Sequence, residues 1–245
     1  MTIQVHLISA GRFHDIDFAR LELLKLLAEN PRMRTSVAMD YGDTERIAEC
    51  DLLITYTCDV VATPAETGIL REFLQRGGRW LALHGTNSIL RFTEEGLVDC
   101  PEEAAEFMVL LGTRFAAHPP IAPFKLFMTR PDHPLTKGLR DCWIEDELYL
   151  SRPTGPIDVL IHTSFTGSAP EFVDRDWDEP QVPVLYTREI GEGAVLYLTL
   201  GHCRGHYDLQ PVSGFWPHPQ RCGWNYPVFY ELLRRALRWG AGAKA

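Results

Sequence analysis

Short apolar runs alternate along this chain with stretches of helical period. Ile3 to Ser9 is a β-rich run closed by Ala10-Gly11, and Phe18, Leu21, Leu24 and Leu27 then recur at helical spacing until Asn30-Pro31. Ser36 to Met39 predicts a second strand and Leu52 to Thr57 a third. Glu66 to Arg76 predicts a helix closed by Gly77-Gly78, and Arg79 to Leu83 a fourth strand. Strands that are apolar throughout and separated by helices predict a parallel sheet, covered on both faces and wound right-handed. The fold class read from this pattern is α/β, a flavodoxin-like, doubly wound, mostly parallel sheet.

The pattern then changes. Pro101 to Leu111 predicts one more helix, but Phe124 to Thr129, Ile144 to Leu150, Asp158 to Thr163 and Val184 to Glu189 are strand-like with no long helices between them. They predict an added β-rich C-terminal part. Gly191-Glu192-Gly193 joins Val184–Glu189 to Ala194–Leu200 as a hairpin. Cys203 to Asn225 has no periodicity; carrying Phe215, Trp216 and Trp224, it reads as an ordered wall or lid. Tyr226 to Gly240 closes the chain as an amphipathic helix. With no linker or low-complexity stretch, residues 1–245 read as a single domain.

Histidines follow three of these strands closely: His14, His84 and His202. The carboxyl ends of parallel strands open on one edge of such a sheet, so these rings can converge although they lie far apart in sequence. His84 stands where Trp80-Leu81-Ala82-Leu83 breaks into a glycine turn. The acidic partners lie in Trp143 to Leu150. Strand alternation puts Ile144, Asp146, Leu148 and Leu150 on one face and Glu145, Glu147 and Tyr149 on the other. Asp146 interrupts an apolar face, so its carboxylate must be paired, hydrogen-bonded, or held near a metal or substrate; a structural ion pair with an arginine is the alternative to a place in a site. Alternation does not choose which face lines a pocket. His118 sits on a proline-stiffened loop, whereas His133 reads as a cap or packing residue, and His162 and His218 as structural. His202 and His206 have the spacing of a helical zinc pair, but Gly205 argues against a helix there.

At 45% hydrophobic and 23% charged residues, 245 residues can bury a substantial core. A net charge of −9 speaks against a nucleic-acid surface. No leader pattern and no membrane-length apolar run is present, which gives a cytoplasmic location with no membrane partner. The six cysteines contain no C-x-x-C pair and suit reduced thiols. The motifs H-E-x-x-H, P-loop, G-x-G-x-x-G and G-x-S-x-G are absent from the sequence.

Taken in order, Gly77-Gly78-Arg79-Trp80-Leu81-Ala82-Leu83-His84, Gly112 to Pro119, His133 to Leu139, Glu145-Asp146-Glu147-Leu148-Tyr149 and Pro183 to Glu189 through Leu200-Gly201-His202 resemble the trehalose-utilisation (ThuA-like) family. The resemblance implies a class I glutamine amidotransferase-like fold, with His84 at the strand-to-helix elbow where that fold carries its nucleophile. Neither Leu83 nor Gly85 is a cysteine, so a thiolate mechanism at the elbow is not expected. The resemblance also implies sugar catabolism, often beside oxidoreductases that make 3-keto sugars. The expected substrate is a 3-keto glycoside or a disaccharide such as a trehalose derivative, processed by acid/base elimination or hydrolysis.

His84, Glu147 and His202 are the catalytic candidates, and His14, Tyr149, Trp216 and Trp224 the sugar-binding ones. A divalent metal, zinc or a similar ion, would be held by His84, His118, Asp146 and His202, with His14 and Glu147 as further candidate ligands. From a different class comes a non-catalytic sugar- or metal-binding module, which also fits the missing nucleophile. A third reading is an amidase or peptidase using Cys58 or Cys203. The partner is a small-molecule sugar, and an exposed aromatic edge would suit a homodimer.

Overall fold

The computed structural model describes residues 2–242. In chain order its elements are β1 (Ile3–Gly11), α1 (Ile16–Ala28), β2 (Met33–Ala38), α2 (Thr44–Glu49), β3 (Leu52–Cys58), α3 (Pro64–Gln75) and β4 (Arg79–Leu83). A short 3-10 turn, His84–Asn87, leads to the two-residue strands β5 (Arg91–Phe92) and β6 (Val98–Asp99). Then come α4 (Ala105–Leu111), β7 (Thr113–Ala117), β8 (Ala122–Met128), β9 (Cys142–Asp146), β10 (Leu150–Pro153) and β11 (Asp158–Ser168). The chain closes with β12 (Asp176–Ile190), β13 (Gly193–Leu198) and α5 (Pro227–Ala241).

Nine strands form one sheet in the order β2-β1-β3-β4-β13-β12-β11-β8-β9. The first five run parallel, in the flavodoxin-like order with β13 in fifth place. The remaining strands are antiparallel, so the β-rich part expected toward the C-terminus extends the same sheet. Alternation sorts the apolar side chains: Leu52, Ile54 and Tyr56 pack under α1 and α5, while Leu53, Trp80 and Tyr197 pack under α3 and α4. Burial on both faces is why these strands read as continuous apolar runs. Among the described residues no helix is long and apolar enough to cross a membrane.

Three expected elements differ. The helix expected from Pro101 begins at Ala105, because Ala104 takes a left-handed conformation at φ 51°. The strand expected over Ile144–Leu150 is broken: β9 ends at Asp146, three residues leave the sheet, and β10 starts at Leu150 to pair with β7. Strand alternation therefore does not extend past Asp146. Residues 113–117, read from sequence as part of a loop, form β7, held by that same partner. The hairpin between β12 and β13 stands as expected.

Candidate functional site

Each histidine arrives at the carboxyl edge of the parallel strands by a local device. His14 follows β1 and precedes Asp15, whose side chain accepts the Phe18 N–H and starts α1. His84 opens the turn after β4 at φ 44°, and Phe13 and Asp59, after β1 and β3, also take positive φ. Among the described residues five non-glycine residues do so, and three of them stand at these strand ends, where strain is tolerated for the sake of a site. Gly85 lets the turn close down on β3, since a Cβ there would lie 2.5 Å from the Thr57 carbonyl oxygen.

The rings converge on Glu147. Its Oε2 lies 3.3 Å from His202 Nδ1, 3.5 Å from His84 Nε2 and 3.8 Å from His14 Nε2, and its Oε1 lies 3.3 Å from His118 Nε2. Behind each ring the outer nitrogen faces an oxygen that can only accept. His14 Nδ1 donates to the Arg12 carbonyl at 3.0 Å, His84 Nδ1 to Thr199 at 2.8 Å, and His118 Nδ1 to Pro119 at 2.9 Å. His202 Nε2 donates to Gln220 Oε1 at 2.9 Å, an oxygen identified as such because Arg204 Nη1 also donates to it. The outer hydrogens fix the tautomers, so every inner nitrogen of a neutral ring presents a lone pair. His14 Nε2 and His84 Nε2 are 2.9 Å apart, two acceptors face to face, and His202 Nδ1 is buried without a hydrogen-bond partner.

Burial holds the His14 imidazole down at about 3, with the neighbouring His84 and His202 lowering it further against the pull of Glu147. For Glu147 burial pushes upward, but the imidazoles of His118, His202 and His14 around it outweigh that, so the carboxyl stays well below its usual range. The centre is therefore a carboxylate among lone pairs. His14, His84, Glu147 and His202 bring one ligand atom each within 4.8 Å of one another, all four residues buried, and could hold a metal ion. Imidazole and carboxylate donors with ordered outer hydrogen bonds suit zinc or a similar first-row ion.

Asp146, a candidate ligand from sequence, is turned away. Its Oδ1 accepts the N–H groups of Glu147 and His202, and its Oδ2 those of Gly201 and Gly223. Gly223 permits this approach: a Cβ would stand 2.5 Å from Oδ2. Neither an arginine pair nor ligation is its place here; it ties the loop after β13 to the end of β9. Trp224, a candidate for stacking on sugar, packs instead against Phe18, Tyr56 and Phe229 and donates Nε1–H to the Gly201 carbonyl. Cys58 is buried with its thiol pushed far up by burial, and burial raises Cys203 to about 12, which works against the thiolate an amidase needs.

Above the cluster lies a cavity of about 730 Å³, lined by His14, His118, Glu147, Tyr149 and Trp216 among the expected residues. The Tyr149 ring packs 4.4 Å from both His84 and Phe115. Sequence reading missed Arg204, whose Nη2 stands 3.9 Å from Glu147 Oε1 on the cavity wall. Its one signal was its position two residues after His202. His206 lies outside the cluster, stacked on Phe215.

A family model described as trehalose utilisation (ThuA) matches residues 7–215. No curated protein matches the chain. Among solved structures, a ThuA-like protein from Parabacteroides merdae shares 17% identity at a TM-score of 0.72, covering 99% of this chain and 91% of its own. Another, from Bacteroides uniformis, gives 17% identity and a TM-score of 0.66 over 98% and 92%. A protein described as a GMP synthase component from Thermoplasma acidophilum gives 10% and 0.52 over 100% and 96%. At such identities the likeness speaks for the fold alone.

Proposed function

The chain belongs to the trehalose-utilisation (ThuA) family, and from that premise we propose that it is an enzyme of sugar catabolism that cleaves a 3-keto glycoside or disaccharide at a metal centre of His14, His84, His202 and Glu147. The observation that carries the reading is the set of inward lone pairs around a carboxylate, which lacks any hydrogen to share and calls for a cation. A divalent ion there would supply Lewis acidity toward the ketone oxygen.

The chain's own groups move the proton. His84 and His202 are fully buried, whereas His118 lines the cavity with Nε2 beside Glu147. In this reading His118 Nε2 takes the proton from C2, which the C3 ketone acidifies, and the electron pair forms the enolate. As the ketone re-forms, the C1=C2 bond forms and the C1–O bond to the leaving group breaks. The leaving oxygen takes the proton back from His118. Addition of water across the new double bond makes the net reaction a hydrolysis. The Glu147 carboxylate steadies the protonated imidazole 3.3 Å away, and Arg204 adds positive charge at the cavity wall.

The test is elemental analysis of the purified protein beside His84→Ala and His202→Ala, followed by incubation with 3-keto-trehalose. One equivalent of zinc, manganese or a similar ion in the wild type, lost from both variants together with turnover, is the expected result. Wild-type protein that stays metal-free after incubation with these ions overturns the metal centre. Metal without turnover of any 3-keto glycoside leaves a binding module of the same fold.

A further inference from the structure

We infer that the cavity over the histidine cluster accepts a sugar joined to an apolar, aromatic-sized group in preference to a second sugar. This rests on the function proposed above and narrows its substrate class. At about 730 Å³ the cavity is larger than one hexose ring requires and falls within the range that encloses a drug-sized ligand. Its lining has two chemistries. The polar lining carries His14, His118, Glu147, Tyr149 and Arg204, enough donors and acceptors for the hydroxyls of one ring.

The apolar lining is built from Phe92, Leu97, Val98, Phe172, Val212 and Trp216, with Phe172 packed 4.7 Å from the His118 ring and Phe92 and Val212 exposed at the mouth. Its polar side chains are few: the exposed carboxylate of Glu171 at the rim, and Trp216 Nε1, which is buried with no hydrogen-bond partner. A second sugar placed there would bring several hydroxyls against carbon, each stripped of water without a replacement partner. An aryl or similar apolar group meets no such penalty, and a single oxygen on it can take the free indole N–H. The mouth points the same way. Phe92 is 43% exposed and Val212 61% exposed, apolar surface that a ligand of this kind would cover.

The experiment is calorimetric titration of the metal-loaded protein with phenyl α- and β-D-glucopyranoside, the two methyl glucosides and trehalose. One phenyl glucoside is expected to bind at least tenfold more tightly than trehalose or its methyl counterpart. Leu97→Asn and Val212→Asn, substitutions at half-buried and exposed positions that keep the wild-type metal content, are expected to bring that ratio close to one. Trehalose binding as tightly as the phenyl glucosides, no binding of any of these ligands, or a phenyl preference untouched by both variants overturns the inference. These ligands are not oxidised at C3, so the preference is read without turnover. A phenyl preference in a protein that processes no 3-keto glycoside supports the inference while counting against the proposed reaction.

Discussion

Asp146 and Glu147 are consecutive, both carboxylates and both buried, yet they belong to two different regions. Asp146 sits in a cradle of four backbone N–H groups. Glu147 sits among four imidazoles whose inner nitrogens bear no hydrogen. The first region is complete within the protein, since every lone pair it offers has a donor. The second offers lone pairs without donors and could hold a cation. A buried carboxylate is thus diagnosed by what surrounds it, and burial alone does not separate scaffold from site.

Breaking the cradle gives the largest effect on the fold. Asp146→Ala orphans buried N–H groups on three segments at once and is expected to destabilise the protein by about 4 kcal/mol, at ~1–3 kcal/mol for each unsatisfied group. Urea denaturation of the metal-free protein measures it. Glu147→Gln is expected to leave the metal-free urea midpoint close to wild type while lowering metal affinity about 100-fold or more, as ligand and charge are lost together. If the two substitutions behave alike in both assays, the contrast between the regions is wrong.

His118→Gln sharpens the division inside the second region. It is expected to keep the metal and lose roughly 10²- to 10⁴-fold in kcat on a 3-keto glycoside, the usual worth of a general acid/base group. Loss of metal in this variant would make His118 a ligand instead. Gln220→Leu, which frees the outer nitrogen of His202, is expected to weaken metal binding about 10- to 100-fold with little change in fold.

The smallest effect is a dependence on pH. The folded His14 ring protonates near 3 and the unfolded one near 6.5, so between these values the unfolded chain binds the extra proton. Stability from this group is complete above pH 6.5 and falls as pH drops toward 3, by up to ~1.4 kcal/mol per pH unit. Glu147, lowered in the fold, acts in the same direction below the ordinary carboxylate range. Urea midpoints of metal-free wild type and His14→Gln between pH 7 and 5 should diverge, with the variant flatter.

Much of this was legible in the sequence, and the parts that were not have a common cause. The parallel strands announced themselves as apolar runs, and His14, His84 and His202 at their ends marked the edge where they meet. The choice between Asp146 and Glu147 was not legible, because alternation presumes a strand and the strand stops between them. Trp224 carries the same aromatic signal as Trp216, but only tertiary packing sends one to the core and the other to the cavity. Arg204 and the apolar wall come from segments far apart in the chain, and no local pattern announces their meeting.

The four residues that could hold an ion come from positions 14, 84, 147 and 202, spread over most of the chain's length. An ion held by all four clasps loops that the unfolded chain would scatter, so it favours the folded state by mass action in proportion to its free concentration over its dissociation constant. Were the proposed ion bound, its supply would govern persistence as well as chemistry, since protein without it would open more often and be more open to proteolysis.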